Sequence, residues 1–371
     1  MRGRGREADA LPTALEDLLS SNFPSEIERP DVGAQSFALQ SDMRERPTYA
    51  ALDLGTNNCR LLIARPTQIN SEPTGFRIVD SFSRIVRLGE GVSQTGRLSE
   101  AAIGRTINAL EICRNKMNAR GVTRARLIAT EACRIAENSA EFIARVHKST
   151  GLALEVVDRE TEARLAAAGC ASLADPAAQA VVLFDIGGGS SEVIWLDRSG
   201  REGIRFWSSL KLGVVTLAEK FGGVDVSDDI FEAMVARVGA ELEAFVAEAA
   251  PLERGSNFHL LGTSGTVTTI GGIFLGLPRY DRRRVDGLWM TDLEIDATVD
   301  QLRNMSYRER VANGCIGSER ADLVLAGCAI LEAIRRAFPA KRVRIADRGL
   351  REGILMQLIE ADRAAQKLPP R

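Results

Sequence analysis

Two segments far apart in the sequence share one pattern, and this repeat constrains the fold more than any other feature. Each has a short apolar run that ends in Asp and enters a glycine turn. The segments are Asp53-Leu54-Gly55-Thr56 and Asp185-Ile186-Gly187-Gly188, and their Asp residues stand 132 positions apart. Strands and helices in a similar order are predicted around both turns. The repeat therefore predicts a duplicated α/β unit.

The predicted elements divide the chain into a tail and two domains. Residues 1–46 contain 6 Lys+Arg, 9 Asp+Glu and three prolines, so we expect a disordered tail there. Residues 47–165 begin with three β-type runs and continue with helices, which predicts the first domain. Residues 166–365 begin in the same way, which predicts the second. A final helix from Leu350 is expected, and it could pack back on the first domain.

Composition excludes several classes of protein. The 371 residues include 48 Lys+Arg and 50 Asp+Glu, a formal net charge of −2, which argues against a strongly basic nucleic-acid binder. With only 2 His, a His-rich zinc site or a Ser/His/Asp triad is unfavoured. The six Cys have no framework spacing and predict buried thiols in a reducing compartment. No secretory leader or membrane span is recognisable, so we expect a cytoplasmic protein without membrane partners.

The two Asp-led turns have the chemistry of a metal-phosphate site. If the halves face each other, Asp53 and Asp185 would meet across a cleft, and Mg²⁺ commonly takes one or two carboxylates together with substrate phosphate oxygens. Glycine turns let backbone N–H groups approach phosphate closely. Either turn alone could merely close a β-hairpin. Two turns at equivalent positions, each led by Asp, favour the functional interpretation.

A third glycine-rich segment, Leu261 to Thr266, follows a predicted strand and precedes an apolar helix. Backbone N–H groups at a helix N-terminus are suited to bind anions. The segment is not a Walker A loop, because no Gly-Lys-Ser/Thr follows. Together with the two Asp turns, it favours contact with phosphate or a nucleotide.

Hydrolysis of a phosphoanhydride also needs a group that orients or deprotonates water, and with so few His this group should be a carboxylate. The candidates are Glu131, Glu160, Glu162 and Glu192. Glu160 could simply pair with Arg164 on a helix surface. Pattern alone does not decide between Glu162 and Glu192. The basic run Arg279 to Arg284 fits a solvated loop and a groove for a polyanion equally well.

Several motifs occur together in a fixed order from about Ala50 to Gly353. They are Asp53 to Asn57, Ala129 to Arg134, Thr161 to Leu165, Asp185 to Ser190, Lys211 to Val215, Gly262 to Thr266 and Leu350 to Gly353. In this combination the chain resembles the exopolyphosphatase/guanosine pentaphosphatase (Ppx/GppA) family, in its short two-domain form. The resemblance implies the actin-like ATPase fold, with two ribonuclease-H-like domains and an active site in the cleft between them.

The resemblance also implies a role for each matched residue. Glu162 would be the base for the attacking water, and Arg134 would bind phosphate and stabilise charge. Asp53, Asp185 and Glu192 would hold Mg²⁺, with Mn²⁺ as an alternative. The phosphate chain would be bound by the residues of the three turns: Gly55, Thr56, Asn57, Gly187, Gly188, Gly189, Ser190, Ser191, Gly262, Ser264, Gly265 and Thr266.

The activity expected from this resemblance is hydrolytic release of the terminal phosphate from inorganic polyphosphate. The alternative substrate is guanosine pentaphosphate, since the same turns would accept its 5′-phosphate chain. A different class is an actin-like ATPase, a small-molecule kinase or a silent nucleotide-binding scaffold. The resemblance further implies a homodimer.

Overall fold

Two mixed β-sheets form the centre of the protein, and each half of the chain contributes one of them. The computed structural model describes residues 47–69, 72–199, 203–253 and 257–367. The tail predicted over residues 1–46 lies outside the described residues.

The described residues of the first half form five strands and five α-helices. The strands are β1 (Tyr49–Leu54), β2 (Asn58–Ile69), β3 (Glu72–Ile85), β4 (Arg124–Ala129) and β5 (Glu155–Val156). The helices are α1 (Val92–Thr95), α2 (Glu100–Ala119), α3 (Glu131–Ile135), α4 (Ser139–Thr150) and α5 (Arg159–Cys170).

The described residues of the second half follow with six strands and eight α-helices, after a 3₁₀ helix at Ala171–Leu173. The strands are β6 (Ala180–Ile186), β7 (Ser191–Asp197), β8 (Gly203–Leu210), β9 (Phe258–Thr263), β10 (Trp289–Thr291) and β11 (Arg342–Ala346). The helices are α6 (Val214–Phe221), α7 (Asp228–Glu253), α8 (Gly265–Phe274), α9 (Arg282–Val285), α10 (Asp292–Asn304), α11 (Tyr307–Ala312), α12 (Val324–Ala337) and α13 (Leu350–Lys367).

The two sheets have the same topology, which confirms the predicted duplication. The first has the order β3-β2-β1-β4-β5, and the second has the matching order β8-β7-β6-β9-β11, with β10 added at its edge. In each half the first strand pairs antiparallel with the second and parallel with a later one. Each Asp-led turn therefore joins the two strands of a hairpin, whereas helices connect the parallel strands.

The register of these hairpins places charged residues at equivalent points. Asp53 on β1 lies opposite Arg60 on β2. Asp185 on β6 lies opposite Glu192 on β7. Side chains alternate between the two faces of a strand, so directly opposed residues project to the same face. Each sheet thus presents one charged pair beside its glycine turn.

Local signals explain where the helices begin and end. The Ser99 hydroxyl accepts a hydrogen bond from the Ala102 N–H and begins α2, as the sequence predicts. Asp158 caps α5 by accepting from the Thr161 N–H at 2.7 Å. Gly151 has a φ of 73° and ends α4, since glycine tolerates this left-handed conformation. The Asp158 cap fixes the first turn of α5, which carries Glu162.

Helix α5 packs between the two sheets. Leu165 belongs to a core cluster with residues of β1, β2 and α13. Ala163, Ala167 and Cys170 pack instead against β6 and β7 of the second sheet. The division predicted at residues 165–166 falls inside this helix and stays a prediction. Helix α13 lies against the first sheet, where Ile354 and Leu355 are completely buried.

The cysteines lie in the interior, in agreement with the prediction of buried thiols. All six thiols are buried and unpaired. In the part of the chain that the structure describes, no helix is both long and apolar enough to cross a membrane.

Candidate active site

The two Asp-led turns pack directly against each other between the sheets. A Cβ atom added to Gly189 would lie 2.7 Å from the Thr56 hydroxyl, and one added to Gly188 would lie 3.1 Å from the Asn57 nitrogen. The first distance is shorter than real Cβ contacts, and the second is tighter than most of them. Glycine is therefore favoured here because the second turn packs closely against the first.

Backbone hydrogen bonds hold each turn from behind. The Asn57 carbonyl accepts from the N–H groups of Val86 and Arg87, at 2.9 and 3.0 Å. The Gly188 carbonyl accepts from the Val215 N–H at 2.8 Å. With these carbonyls bound to neighbouring segments, the turns are fixed before any ligand arrives.

A cavity of about 110 Å³ lies between the turns. Most of the predicted site residues line it: Asp53, Gly55, Thr56, Asn57, Glu162, Asp185, Gly187, Gly188, Gly189, Ser190, Glu192, Ser264, Gly265 and Thr266. Three of the predicted residues lie elsewhere. The Ser191 hydroxyl is buried and donates to the Leu212 carbonyl. Gly262 lies inside β9 against the Phe184 ring, and Arg134 lies behind Glu162.

The third turn closes the cavity from the second half. Ser264 precedes α8 with a φ of 123°, in a region that residues other than glycine rarely adopt. Its buried hydroxyl oxygen has no hydrogen-bond partner among the described residues. An unpartnered hydroxyl beside a helix N-terminus is suited to donate to an anion.

Burial sets the electrostatics of the carboxylates. Loss of solvent raises the pKa of Asp185 to about 6 and that of Glu192 to about 7. Burial also raises the pKa of Asp53. The hydroxyls of Ser190 and Ser209 both donate to Oε1 of Glu192, at 2.9 and 3.0 Å. The site thus concentrates negative charge with little compensation from hydrogen bonds.

Glu162 faces this cluster from the first turn of α5. Its Oε2 lies 2.7 Å from Nη2 of Arg134, and both side chains are only 12% exposed. Burial, followed by repulsion from Glu192, raises the pKa of Glu162 well above its usual range. Glu160, another candidate base, is half exposed and pairs with Arg164 on the helix surface.

Three arginines that sequence reasoning missed extend the site. Arg60, Arg320 and Arg351 line a second cavity of about 390 Å³, which shares Asp53 and Asp185 with the first. In the described ranges, no guanidinium group of these three arginines forms an ion pair or a hydrogen bond with a side chain or carbonyl. Burial and repulsion from Arg60 lower the pKa of Arg320. Uncompensated guanidinium groups in this position are suited to bind a polyanion.

The predicted basic run divides between the two interpretations that its sequence allowed. Arg282 lines the second cavity, where it pairs with Glu352 at 2.7 Å. Arg283 is 92% exposed and contacts only Asp281. The run thus contributes one neutralised arginine to the cavity and leaves a neighbour in solvent.

Duplicated sheets of this topology, with a glycine turn from each half meeting in a cleft, define a protein of the actin-like ATPase fold. A sequence profile of the Ppx/GppA phosphatase family matches residues 67–361. The chain belongs to this family, whose members are phosphohydrolases.

Relatives with two different names are similar to the chain. Exopolyphosphatase 2 from Mycobacterium tuberculosis is 28% identical over 83% of this chain and 98% of its own length. A guanosine-5′-triphosphate,3′-diphosphate pyrophosphatase from Aeromonas salmonicida is 27% identical over 85% of this chain. The chain spans 60% of that protein and 46% of a bifunctional relative from Fusobacterium nucleatum. The crystal structure of the Aquifex aeolicus family member is similar as well, with a TM-score of 0.68 and a sequence identity of 28%. The match covers 85% of this chain and 98% of the Aquifex chain.

Proposed function

We propose that the protein is a Mg²⁺-dependent exopolyphosphatase that releases the terminal phosphate of inorganic polyphosphate. The observation that carries this proposal is the unpaired set Arg60, Arg320 and Arg351 directly beyond the two glycine turns. A chain with one negative charge or more on each phosphate needs positive charge beyond the phosphate that reacts. The turns would bind the terminal phosphate, and the arginines would bind the phosphates that follow.

The acidic residues fit a hard divalent cation in a particular way. No group of three or more acidic, His or Cys side chains in the described part of the chain is placed to bind a metal by itself. Mg²⁺, however, usually takes one or two carboxylates and completes its shell with water and substrate phosphate. Asp185 and Glu192 lie directly opposite each other on β6 and β7. Of the two carboxylate oxygens of Glu192, only Oε1 accepts hydrogen bonds in the described part of the chain. One or two of Asp185, Glu192 and Asp53 would bind the ion, which would neutralise phosphate charge and orient the chain.

The remaining side chains divide the work of hydrolysis. Glu162 lines the cleft, and within the described residues its Oε1 accepts no hydrogen bond, so that oxygen can accept one from water. Water would attack the terminal phosphorus, Glu162 would take the proton, and the shortened chain would leave with the bridging oxygen. The backbone N–H groups of the turns would stabilise the charge that develops on the phosphoryl oxygens, and Arg134, behind Glu162, would hold that carboxylate in place.

Phosphate release tests the role of Glu162. The variant Glu162→Gln keeps the size of the side chain but removes its basicity, so we expect kcat to fall by about 10²–10⁴-fold. Glu160→Gln, on the same helix but exposed, is the matched control and should stay within about twofold of wild type. Equal rates for wild type and Glu162→Gln would overturn the assignment. A chelator should abolish release, and added Mg²⁺ should restore it.

The second candidate is hydrolysis of guanosine pentaphosphate, favoured by the name of the Aeromonas relative. The two candidates are separated by kcat/KM for each substrate under the same conditions, with ATP as a third substrate. A higher value for polyphosphate is expected. A higher kcat/KM for guanosine pentaphosphate would make it the preferred substrate and polyphosphate the alternative. Phosphate release from ATP alone would indicate an ATPase. Cytoplasmic location, the homodimer and the absence of nucleic-acid partners stay predictions.

A further inference from the structure

Four charged side chains form a chain of alternating sign along one wall of the cleft, where Glu131 and Glu162 line the cavity. Glu131 and Arg134 belong to α3, and Arg159 and Glu162 belong to α5. The order of contacts is Arg159–Glu131–Arg134–Glu162. Glu131 is thus the only member of the four that contacts both arginines, and it has no role in the proposal above.

Both oxygens of Glu131 are occupied. Oε2 accepts from Nε and Nη2 of Arg134, at 3.0 and 2.9 Å. Oε1 accepts from Nη2 of Arg159 at 2.6 Å. The Glu131 side chain is only 6% exposed. Because arginine donors bind both oxygens of Glu131, Glu162 is the more suitable base of the two.

The contacts of Arg134 show what Glu131 does. Nη1 donates to the Val157 carbonyl at 2.8 Å, and Nη2 also pairs with Glu162. Two contacts from one carboxylate oxygen to Nε and Nη2 fix the plane of the guanidinium group. Without Glu131, the only carboxylate left for Arg134 would be Glu162. The guanidinium could then turn fully onto Glu162 and occupy the oxygens that the reaction needs.

We propose that Glu131 is a positioning residue, which fixes Arg134 and limits its pairing with Glu162. The inference rests on the proposed function for the roles of Arg134 and Glu162. Glu131 lines the cavity, but arginine donors bind both of its oxygens, so it acts through Arg134. Its loss should therefore lower kcat much more than it raises KM.

Two variants separate this role from a merely structural one. Glu131→Gln removes the charge that holds Arg134, and we expect kcat to fall about 10–100-fold with KM within about threefold. Arg159→Met breaks the tie between α3 and α5 but leaves Glu131 on Arg134, and we expect kcat within about threefold. If Glu131 served only to join the helices, both variants would lose the same activity. Equal losses would overturn the proposal.

A double-mutant cycle tests whether the effect passes through Arg134. In an Arg134→Ala background, Glu131→Gln should lower kcat by less than about twofold, because its target is gone. A full further loss of 10–100-fold would show that Glu131 acts independently, against the proposal. The cycle can use whichever phosphate-releasing activity the wild type has, so it does not depend on the choice between polyphosphate and guanosine pentaphosphate.

A readout without turnover covers the case in which no activity is found. The Nε–H of Arg134 donates to Glu131, so its NMR signal should exchange slowly with water. In Glu131→Ala we expect that exchange to become at least about tenfold faster. The Nε–H of Arg335, which donates to Asp292 at 3.0 Å, is the internal control and should not change. Unchanged exchange at Arg134 would refute the positioning role.

Discussion

At the scale of single residues, the carboxylates that lie together in the cleft destabilise the folded state. Glu192 is almost completely removed from water and Asp185 is partly buried, and neither forms an ion pair in the described part of the chain. A buried charge destabilises the folded state unless a partner compensates it. The two serine hydroxyls on Glu192 compensate only one of its oxygens. A substitution that removes the charge should therefore stabilise the metal-free protein.

Glu192→Gln tests this cost through its pH dependence. Burial raises the pKa of Glu192 from 4.5 to about 7. Between these values the folded state keeps a proton that the unfolded chain has released, so stability falls as pH rises through the window. With a chelator present at pH 8, we expect the free energy of unfolding of Glu192→Gln to be up to about 3 kcal/mol higher than that of wild type. The difference should shrink towards pH 5.

Urea denaturation from pH 5 to pH 8 measures this effect. Buried His259, whose pKa is lowered by burial, changes stability in the opposite direction, but it is present in both proteins and cancels. Glu241→Gln, on an exposed pair with Arg237, is the control and should show no such trend. Parallel pH profiles for wild type and Glu192→Gln would contradict the argument.

The site residues differ in how far the sequence could reveal them. Asp53 and Asp185 were predicted because each ends an apolar run and enters a glycine turn. Arg60 carried a signal that was missed, since it follows Asp53 at the same distance as Glu192 follows Asp185. Arg320 has no local pattern. It reaches Gly265 only because the second sheet brings distant segments together, with a Cβ on that glycine placed 3.2 Å from Nη1.

At the scale of elements, the contact between α5 and α13 depends on glycine. A Cβ added to Gly169 would lie 1.9 Å from the Gly349 carbonyl oxygen. One added to Gly353 would lie 2.0 Å from the Leu165 carbonyl oxygen. The helices therefore meet backbone to backbone. Because α5 also carries Glu162, this contact helps to place the proposed base over the cleft.

Gly169→Ala should separate the two helices and destabilise the protein. Overpacking of this kind costs about 1–3 kcal/mol, and backbone atoms cannot move aside as a side-chain end could. Gly104→Ala, inside α2 with open space around it, is the matched control. It should raise stability by roughly 0.5–1 kcal/mol, since alanine is the better helix former. The measurement is the free energy of unfolding in urea, and a Gly169→Ala protein as stable as wild type would contradict the prediction.

Elements were predicted better than their packing. The strands from Tyr49 to Leu54 and from Val181 to Phe184 follow from apolar runs beside glycine turns, and both are confirmed. The helix from Leu350 is confirmed as well. That it crosses α5 at paired glycines could not be read from sequence. Such a crossing depends on close approach of two backbones more than 180 residues apart, and a lone glycine in a helical pattern can equally mark a C-cap or a tolerated surface position.

At the scale of the whole molecule, side chains tie the two halves together at the rim of the cleft. Arg87, which follows β3, donates to Asp322 at 3.1 Å and to the Glu319 carbonyl. Glu219 on α6 accepts from the Gly91 N–H at 3.0 Å and from the Ser93 hydroxyl. Both ties run from the segment after β3 to the second half. Separation of the sheets would require both to break.

The double variant Arg87→Ala with Glu219→Ala should weaken closure of the cleft while the fold stays intact. A partly exposed ion pair such as Arg87–Asp322 contributes about 0.2–1 kcal/mol, and the hydrogen bonds to Glu219 contribute about as much, so losing both ties should shift the closed population by roughly 2–30-fold. Since substrate contacts come from both halves, we expect KM for polyphosphate to rise by about 3–10-fold. Amide hydrogen exchange at Val86 and Gly89, which bind the first turn, should accelerate.

An ion pair that lies within one half of the chain serves as the control, because it separates an effect on closure of the cleft from a general loss of stability. Arg145 on α4 pairs with Glu100 at 2.8 Å, and both belong to the first half of the chain. Arg145→Ala loses an exposed ion pair without touching the rim, so KM and exchange near the turn should match those of wild type. If Arg145→Ala and the double variant change both quantities alike, the rim contacts have no special part in closure. If only the double variant changes them, the two halves are coupled through Arg87 and Glu219, because no other difference between the variants involves the cleft.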